Sequence, residues 1–231
     1  MARARPLATY ALIAINLAVY GVCVAQAGTG SFYGFVDSPV FNSATLSPID
    51  LAHHEYWRLI TSGFLHLSPM HIAVNMFSLY ILGTMLEPIL GTGRFLQIYL
   101  TSLFGGSAAV ALFAGENTAT AGASGAIYGL MGAMLVIVLK LKAPAGQVIA
   151  VIAINLVISI SVPGISLVGH LGGLLFGALA TVAVLYVPQL VVGNATPTVA
   201  LRARADTTAR AAMLAVLLVA IVVGVLSPYL R

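Results

Sequence analysis

The chain has 231 residues, of which 60% are hydrophobic and only 7% are charged. Soluble domains carry about 25% charged residues, so this composition excludes a soluble globular protein and indicates a polytopic membrane protein. The ten basic residues that give the net charge of +4 are spread along the chain. This spread argues against a nucleic-acid partner and makes the charges a guide to membrane topology. The single cysteine, Cys23, leaves no internal disulfide framework.

Long apolar segments recur along the chain and predict seven transmembrane helices. The predicted ranges are 7–27, 70–86, 95–114, 124–139, 148–162, 167–187 and 211–226. The fifth is short and requires polar flanks or a locally thinner bilayer. The polar stretch 28–58, which includes Asp37, is expected to form a long, structured external loop.

A polar stretch that includes Pro197 separates the last apolar segment from the others. We therefore expect an all-α fold, a polytopic membrane helix bundle with three parts. These are a six-helix core in residues 1–187, a cytoplasmic linker at 188–209 and a seventh transmembrane helix in residues 210–231.

Basic residues are distributed unequally between alternate ends of the predicted helices. With the N-terminus in the cytoplasm, the cytoplasmic side collects eight of the ten. These eight are Arg3, Arg5, Arg94, Lys140, Lys142, Arg202, Arg204 and Arg210. Only Arg58 and Arg231 then lie outside. The distribution predicts a cytoplasmic N-terminus and an external C-terminus.

Four polar side chains lie near the outer ends of predicted helices: His71, Asn75, Ser124 and His170. At a rise of 1.5 Å per residue, all four lie within roughly 10 Å of the outer surface. His71 and Asn75 are four residues apart and share one helix face. Because lipid tolerates such groups poorly, we expect them to converge on a common site.

Ser124 is the candidate nucleophile of this site, since it stands in the first turn of a helix, beside free backbone N–H groups. A serine needs a base, and His170 is the deep group of the right type. We find no carboxylate in the outer half of any predicted helix, so another group must orient the imidazole. Tyr128, one turn after Ser124, could pack its ring against it.

The oxyanion of an attacked carbonyl requires hydrogen-bond donors, which His71 and Asn75 could supply beside the backbone N–H of Ser124. Small residues around these groups permit close approach of backbones. Gly122 and Gly125 flank the serine. Two further sets have small-xxx-small spacing on the fourth and sixth helices: Gly125, Gly129 and Gly132, and Gly169, Gly173 and Gly177.

Together these motifs resemble the rhomboid family of intramembrane serine proteases. The resemblance rests on Gly-Ala-Ser-Gly at 122–125, His71-x-x-x-Asn75, Gly-His-Leu-Gly-Gly at 169–173 with Gly177, and Trp57-Arg58. It covers about residues 10–186.

The resemblance implies that Ser124 is the nucleophile, that His170 is the base, and that His71 and Asn75 belong to the oxyanion hole. It also places Glu87 and Arg94 at structural positions. The seventh helix departs from the six-helix form of the family. For Trp57 and Arg58 we favour a structural role at the membrane boundary.

We expect an intramembrane serine endopeptidase that cleaves transmembrane segments of other membrane proteins near the outer face. No cofactor or metal is expected, because no His-Glu-x-x-His spacing occurs. The expected partners are transmembrane protein substrates and membrane lipid, and the expected location is a bacterial plasma membrane. A non-catalytic binding protein with the same fold and a transporter are the alternatives.

Overall fold

A computed structural model shows an α-helical bundle and describes residues 5–28, 38–196 and 198–231. Within these ranges the helices, in chain order, are α1 (Leu7–Ala27), α2 (Pro39–Ala44), α3 (Pro48–Ala52), α4 (Arg58–Thr61), α5 (Pro69–Leu90), α6 (Thr92–Phe113), α7 (Ser124–Lys140), α8 (Gly146–Ser161), α9 (Leu167–Val192) and α10 (Val199–Leu230). A 3₁₀ turn, Ser62–Phe64, follows α4. The described residues include no strand, which confirms the all-α prediction. Arg3, Asp37 and Pro197 lie outside the described residues.

Five of the long helices are long and apolar enough to cross a membrane: α1, α5, α6, α9 and α10. The other two long helices, α7 and α8, are apolar but have only 17 and 16 residues. The protein is therefore a multi-pass integral membrane protein. The short predicted fifth span corresponds to α8.

Hydroxyl side chains determine where two of the site-bearing helices begin. The side chain of Ser68 accepts a hydrogen bond from the backbone N–H of His71 at the start of α5. Ser166 does the same for Gly169 at the start of α9. Such caps satisfy backbone donors that have no partner within the helix. Both caps place a histidine in the first turn that follows.

Most of the predicted linker 188–209 is helical, so its predicted bounds differ from the structure. Helix α9 continues past Pro188 to Val192, and α10 begins at Val199. Only residues 193–198 separate the two helices.

Local capping and ion pairing explain why α10 begins so early. Thr198 caps the helix by accepting a hydrogen bond from the N–H of Leu201. Asp206 pairs with Arg94 of α6 and with Arg210 one turn further on. Because these charges have partners, the polar residues extend the helix instead of forming a loop.

Helix α5 also extends beyond its predicted end, to include Glu87. The carboxylate of Glu87 is buried and accepts hydrogen bonds from the backbone N–H groups of Ala8 and Thr9, at 3.0 and 2.9 Å. It also accepts from the hydroxyls of Thr9 and Thr92, both at 2.8 Å. This carboxylate satisfies the free donors at the start of α1 and fixes α1 against α5.

The segment from residue 38 to residue 64 forms a structured loop held by Arg58, which is buried. The guanidinium donates to the carbonyls of Asn42 and Thr45, at 2.7 and 2.6 Å, and pairs with Glu55 at 2.5 Å. The indole of Trp57 donates to another carbonyl of the same loop. These contacts are consistent with the structural role expected for Trp57 and Arg58.

Helices α6, α7 and α9 pack against one another and form the centre of the bundle, while α10 packs against α6 and α9. Helix α8 is peripheral, and its main contacts are with α7 and α9. Ile152 and Ser159 are its buried residues. The centre is thus closely packed, whereas α8 lies along its edge.

Candidate active site

Ser124 and His170 face each other across the contact between α7 and α9. Ser124 is the first residue of α7, and His170 lies in the first turn of α9. Nε2 of the imidazole is 2.7 Å from Oγ of Ser124. This is hydrogen-bond distance, and it is the geometry in which a histidine can accept a serine proton.

Glycines bring the two helices close enough for this contact. A side chain at Gly173 would overlap the backbone of Gly125, and one at Gly177 would overlap the backbone of Gly129. A Cβ at Gly132 would lie 2.6 Å from the carbonyl oxygen of Leu174. The structure thus brings together the two small-residue faces that the sequence suggested, and backbone touches backbone along them.

A third helix joins this contact through residues that the sequence analysis did not single out. A Cβ at Gly106 of α6 would lie 2.8 Å from the carbonyl oxygen of Gly169, beside the site histidine. A Cβ at Gly172 would lie 2.5 Å from the carbonyl oxygen of Gly105. The Gly-Gly pair within an apolar helix was the available signal, because glycine lowers helix propensity and needs a packing reason.

The other nitrogen of the imidazole also has a hydroxyl partner. Nδ1 of His170 is 2.7 Å from Oγ of Ser159, which projects from α8. The hydroxyl of Tyr128 is 2.8 Å from the same Oγ, and its ring stacks on the imidazole with centroids 4.0 Å apart and planes at 14°. The ring of Tyr128, which was considered from the sequence as the group that orients the imidazole, thus lies against it, and the hydroxyl of Ser159, which was not singled out, contacts Nδ1.

Ser159 could have been suspected from the sequence. It lies four residues after Asn155 in the segment 148–162, whose one other polar residue is Ser161, and polar residues four apart share a helix face.

The ring of His71 presents a donor to the space beside Ser124. Its Nδ1 is 3.2 Å from the backbone nitrogen of Leu67. A backbone N–H can only donate, so Nδ1 is the acceptor and the hydrogen of the neutral ring is on Nε2. That Nε2 lies beside Gly122, where an added Cβ would be 3.0 Å from it and 3.5 Å from Oγ of Ser124.

The space at Gly122 is therefore bordered by the candidate nucleophile and by a candidate oxyanion donor. Gly122 has a φ of +139°, a backbone conformation that residues with a side chain rarely adopt. Both conformation and space require glycine here. Gly125 is the next glycine after Ser124 and packs against Gly106 and Gly169.

Asn75 is buried, and its side-chain nitrogen donates to the backbone carbonyl of His71 at 2.8 Å. An amide nitrogen carries two hydrogens, so one remains free to donate. Both predicted oxyanion residues line the same cavity as Ser124.

His66 lies in the loop before α5, buried against His71 with ring centroids 5.1 Å apart. Burial, with the nearby His71 ring as a second cause, lowers the pKa of His66 to about 3. The His66 ring is therefore neutral at physiological pH and adds no positive charge to the site.

The cavity has a volume of about 510 Å³. Its lining includes the site residues, and also loop residues at one end of the bundle: Leu67, Thr120, Pro163 and Ile165. The loop that carries Gly122 is held by two backbone contacts. Leu46 and Thr120 pair antiparallel, and the N–H of Gly122 donates to the carbonyl of Ser62 at 2.9 Å. The cavity thus lies at the loop end of the helices, beside a loop held by these contacts.

Membrane-spanning helices with a part-buried serine against a buried histidine at one end define this chain as a polytopic membrane protein with a candidate nucleophilic site. Residues 53–187, more than half of the chain, match the family model of the Rhomboid domain. The chain belongs to the rhomboid family. The match ends before α10 begins.

Curated proteins of this family are similar to the chain. It is 35% identical over 184 residues to "Rhomboid protease GluP" of Bacillus subtilis (strain 168), covering 78% of this chain and 35% of that protein. It is 42% identical over 144 residues to "RHOMBOID-like protein 6, mitochondrial" of Arabidopsis thaliana, covering 59% and 46%. It is 34% identical over 136 residues to "Putative rhomboid protease YdcA" of Bacillus subtilis (strain 168), covering 57% and 68%. The chain spans less than half the length of the first two relatives.

Proposed function

We propose that this protein is an intramembrane serine endopeptidase that cleaves transmembrane segments of other membrane proteins near the outer membrane face. The observation that carries the proposal is the 2.7 Å contact between Oγ of Ser124 and Nε2 of His170 beside a cavity. Two relatives are named proteases, which favours the same chemistry here.

In the proposed reaction, Oγ of Ser124 attacks the carbonyl carbon of the substrate peptide and its proton passes to Nε2 of His170. The carbonyl oxygen becomes an oxyanion. As the intermediate collapses, the C–N bond breaks and the leaving nitrogen takes the proton from Nε2. Water then attacks the acyl ester with the same assistance, which releases the second product and restores the serine.

The oxyanion would lie beside Gly122, among three sources of donors. These are Nε2–H of His71, the free N–H of Asn75, and the first N–H groups of α7, which have no acceptor within the helix. The site lies between packed helices and is only partly open to solvent, so such donors act more strongly than at the surface.

The substrate must present an extended backbone to the serine, because a helical carbonyl is already hydrogen-bonded and shielded by side chains. Transmembrane segments weakened by Gly, Pro or polar residues should therefore be preferred. The loop residues that line the cavity would admit the water that hydrolysis requires.

The outer-face assignment depends on the orientation, for which the charge distribution favours a cytoplasmic N-terminus. Single cysteines introduced as Ala2→Cys and Arg231→Cys in a Cys23→Ala background test it. A membrane-impermeant thiol reagent added to intact cells should label position 231 only. Labelling of position 2 from outside would reverse the orientation.

A fluorophosphonate probe tests the proposed chemistry without a known substrate, because it captures an activated serine. We expect labelling of the wild type, none of Ser124→Ala and almost none of His170→Ala. His53→Ala is the matched control, since His53 is exposed, and it should be labelled like the wild type.

The proposed oxyanion donors should matter less than the serine and the histidine. Loss of one donor costs about 2.7–4 kcal/mol, or roughly 10²–10³ in rate, while the others remain. Slow labelling is therefore expected for His71→Ala and Asn75→Ala. A folded wild type that takes no label would indicate a non-catalytic binding protein with this fold.

A further inference from the structure

We propose that Ser159 of α8 is a positioning residue that holds His170 in the tautomer able to accept a proton from Ser124. The inference rests on the proposed function and deepens it, since it concerns the same imidazole. It gives α8, the long helix with the smallest share of buried residues, a direct part in orienting the imidazole.

The hydroxyl of Ser159 has three polar neighbours within hydrogen-bond distance. Nδ1 of His170 is at 2.7 Å, the hydroxyl of Tyr128 is at 2.8 Å, and the backbone carbonyl oxygen of Asn155 is at 2.8 Å. Ser159 itself is 4% exposed, so water has little access to its hydroxyl.

The hydrogens available in this cluster determine the direction of each bond. A hydroxyl has one hydrogen and two acceptor sites, and the carbonyl of Asn155 can only accept. When Ser159 donates to that carbonyl, its oxygen accepts from both Nδ1–H of His170 and the hydroxyl of Tyr128. All three contacts are then made, and Nε2 of His170 presents its lone pair to Ser124.

The opposite tautomer fits the cluster less well. With the hydrogen on Nε2, Nδ1 becomes an acceptor, so Ser159 must turn its only hydrogen toward the ring and give up the carbonyl of Asn155. Nε2 would then already carry a hydrogen, directed at Oγ of Ser124, and could not accept the serine proton. A buried hydrogen bond left unmade costs free energy, so the cluster favours the reactive tautomer.

The position of α8 depends on a narrow contact that includes this serine. Ile152 and Ser159 are seven residues apart on one helix face, with Asn155 between them on the same side. Ile154 and Val157 are each 60% exposed, and Ile160 is 70% exposed. If α8 moved outward, Nδ1–H of His170 would lose its acceptor. The orientation of the imidazole therefore requires that α8 stay packed against the bundle.

The first test compares Ser159→Ala with Ser159→Thr and with the control Ser161→Ala, which removes an exposed hydroxyl from the end of the same helix. For a cleavable transmembrane substrate we expect kcat of Ser159→Ala to fall roughly 3- to 12-fold, as loss of one neutral hydrogen bond in the transition state implies. KM should stay near its wild-type value. Thr keeps a hydroxyl at this position and should restore most of kcat, while the control should match the wild type.

The second test observes the tautomer directly. In protein labelled with ¹⁵N-histidine, the His170 signals are assigned by their loss in His170→Ala. The wild type should show a protonated Nδ1 and an unprotonated Nε2. Ser159→Ala should populate the other tautomer. Because Tyr128→Phe removes the second hydroxyl and keeps the stacked ring, adding it to Ser159→Ala should lower kcat by less than the two single effects combined.

The outcomes separate this inference from the proposed function. If the wild type is labelled by a fluorophosphonate and folded Ser159→Ala keeps both its kcat and its Nδ1–H tautomer, Ser159 is not a positioning residue. If Ser159→Thr does not fold, the tautomer of His170 in folded Ser159→Ala still tests whether Ser159 is a positioning residue. A wild type that takes no label would instead remove the proposed function.

Discussion

Helix α9 carries His170, and helix α8 carries Ser159, whose hydroxyl contacts the imidazole. The two helices are held in the bundle in different ways. Helix α9 lies against α7 with backbone touching backbone at Gly173 and Gly177, where no side chain fits. Helix α8 buries Ile152 and Ser159, with Val148 and Leu156 packed beside them, and most of its surface is exposed to the surroundings. Backbone contact leaves little freedom to shift, whereas a narrow contact made by a few side chains can be broken at smaller cost.

This difference indicates a division of roles between the two helices. The separation of Ser124 and His170 depends on the glycine contact, which has no adjustable side chains. The orientation of the ring depends on a hydroxyl from the loosely held helix. Three substitutions test this division, and each has a control of the same residue type.

The largest effect is expected from Gly173→Ala. The added methyl would overlap the backbone of Gly125, and backbone cannot rotate away, so α7 and α9 must separate. We expect a loss of roughly 1–3 kcal/mol or more in stability and a loss of cleavage. Thermal unfolding in detergent measures the stability, and fluorophosphonate labelling measures the reactivity of Ser124.

Gly21→Ala is the matched control, because Gly21 lies within a membrane helix and an added Cβ there has nothing within 4 Å. It should be neutral or slightly stabilising, since alanine favours helix over glycine. If Gly173→Ala behaved like this control, backbone contact would not be what sets the distance between the two helices.

An intermediate effect is expected from Ile152→Ala, which truncates the most buried apolar side chain of the α8 contact. Ile152 is 8% exposed, whereas Ile154 on the same helix is 60% exposed and provides the control as Ile154→Ala. With weaker seating of α8, the hydroxyl of Ser159 should spend less time at Nδ1 of His170.

We expect cleavage by Ile152→Ala to fall by about threefold to tenfold, because at most the one hydrogen bond is lost. The thermal midpoint should fall less than in Gly173→Ala, since α8 meets the centre of the bundle through few side chains. A fall in midpoint as large as that of Gly173→Ala would mean that α8 is structurally as important as the glycine contact.

The smallest effect is expected at the far end of α7 and α9. There the ammonium of Lys140 lies over the ring of Tyr186 at 3.9 Å and also bonds to Gln189. Lys140 and Gln189 are exposed where they meet, and exposed contacts of this kind contribute about 0.5–1 kcal/mol.

Lys140→Met should therefore lower the thermal midpoint slightly and leave labelling of Ser124 unchanged. Lys142→Met is the control, since Lys142 is also exposed and lies two residues further along. Loss of labelling in Lys140→Met alone would show that polar contacts at this end, and not only the glycines, hold the two helices together.

Comparison of the sequence predictions with the structure shows which features can be inferred locally. The starts of α7 and α9 were predicted at Ser124 and Leu167, where the structure has them, because the change from a polar loop to an apolar run is a signal within a few residues. The ends were less well predicted. Pro188 lies inside α9 although proline usually terminates a helix, and α10 begins twelve positions before its predicted start at 211.

The sequence by itself determined that this is a membrane bundle, which residue types could perform nucleophilic chemistry, and that small-residue faces exist on two helices. Those conclusions depend on composition, periodicity and spacing along one segment at a time. Only the tertiary structure decided that Ser159 meets His170, that Gly106 of α6 joins the glycine contact, and that Asp206 pairs with Arg94 at a sequence separation of 112. Each of these contacts joins different helices, so it depends on how the helices pack, and no local pattern specifies that.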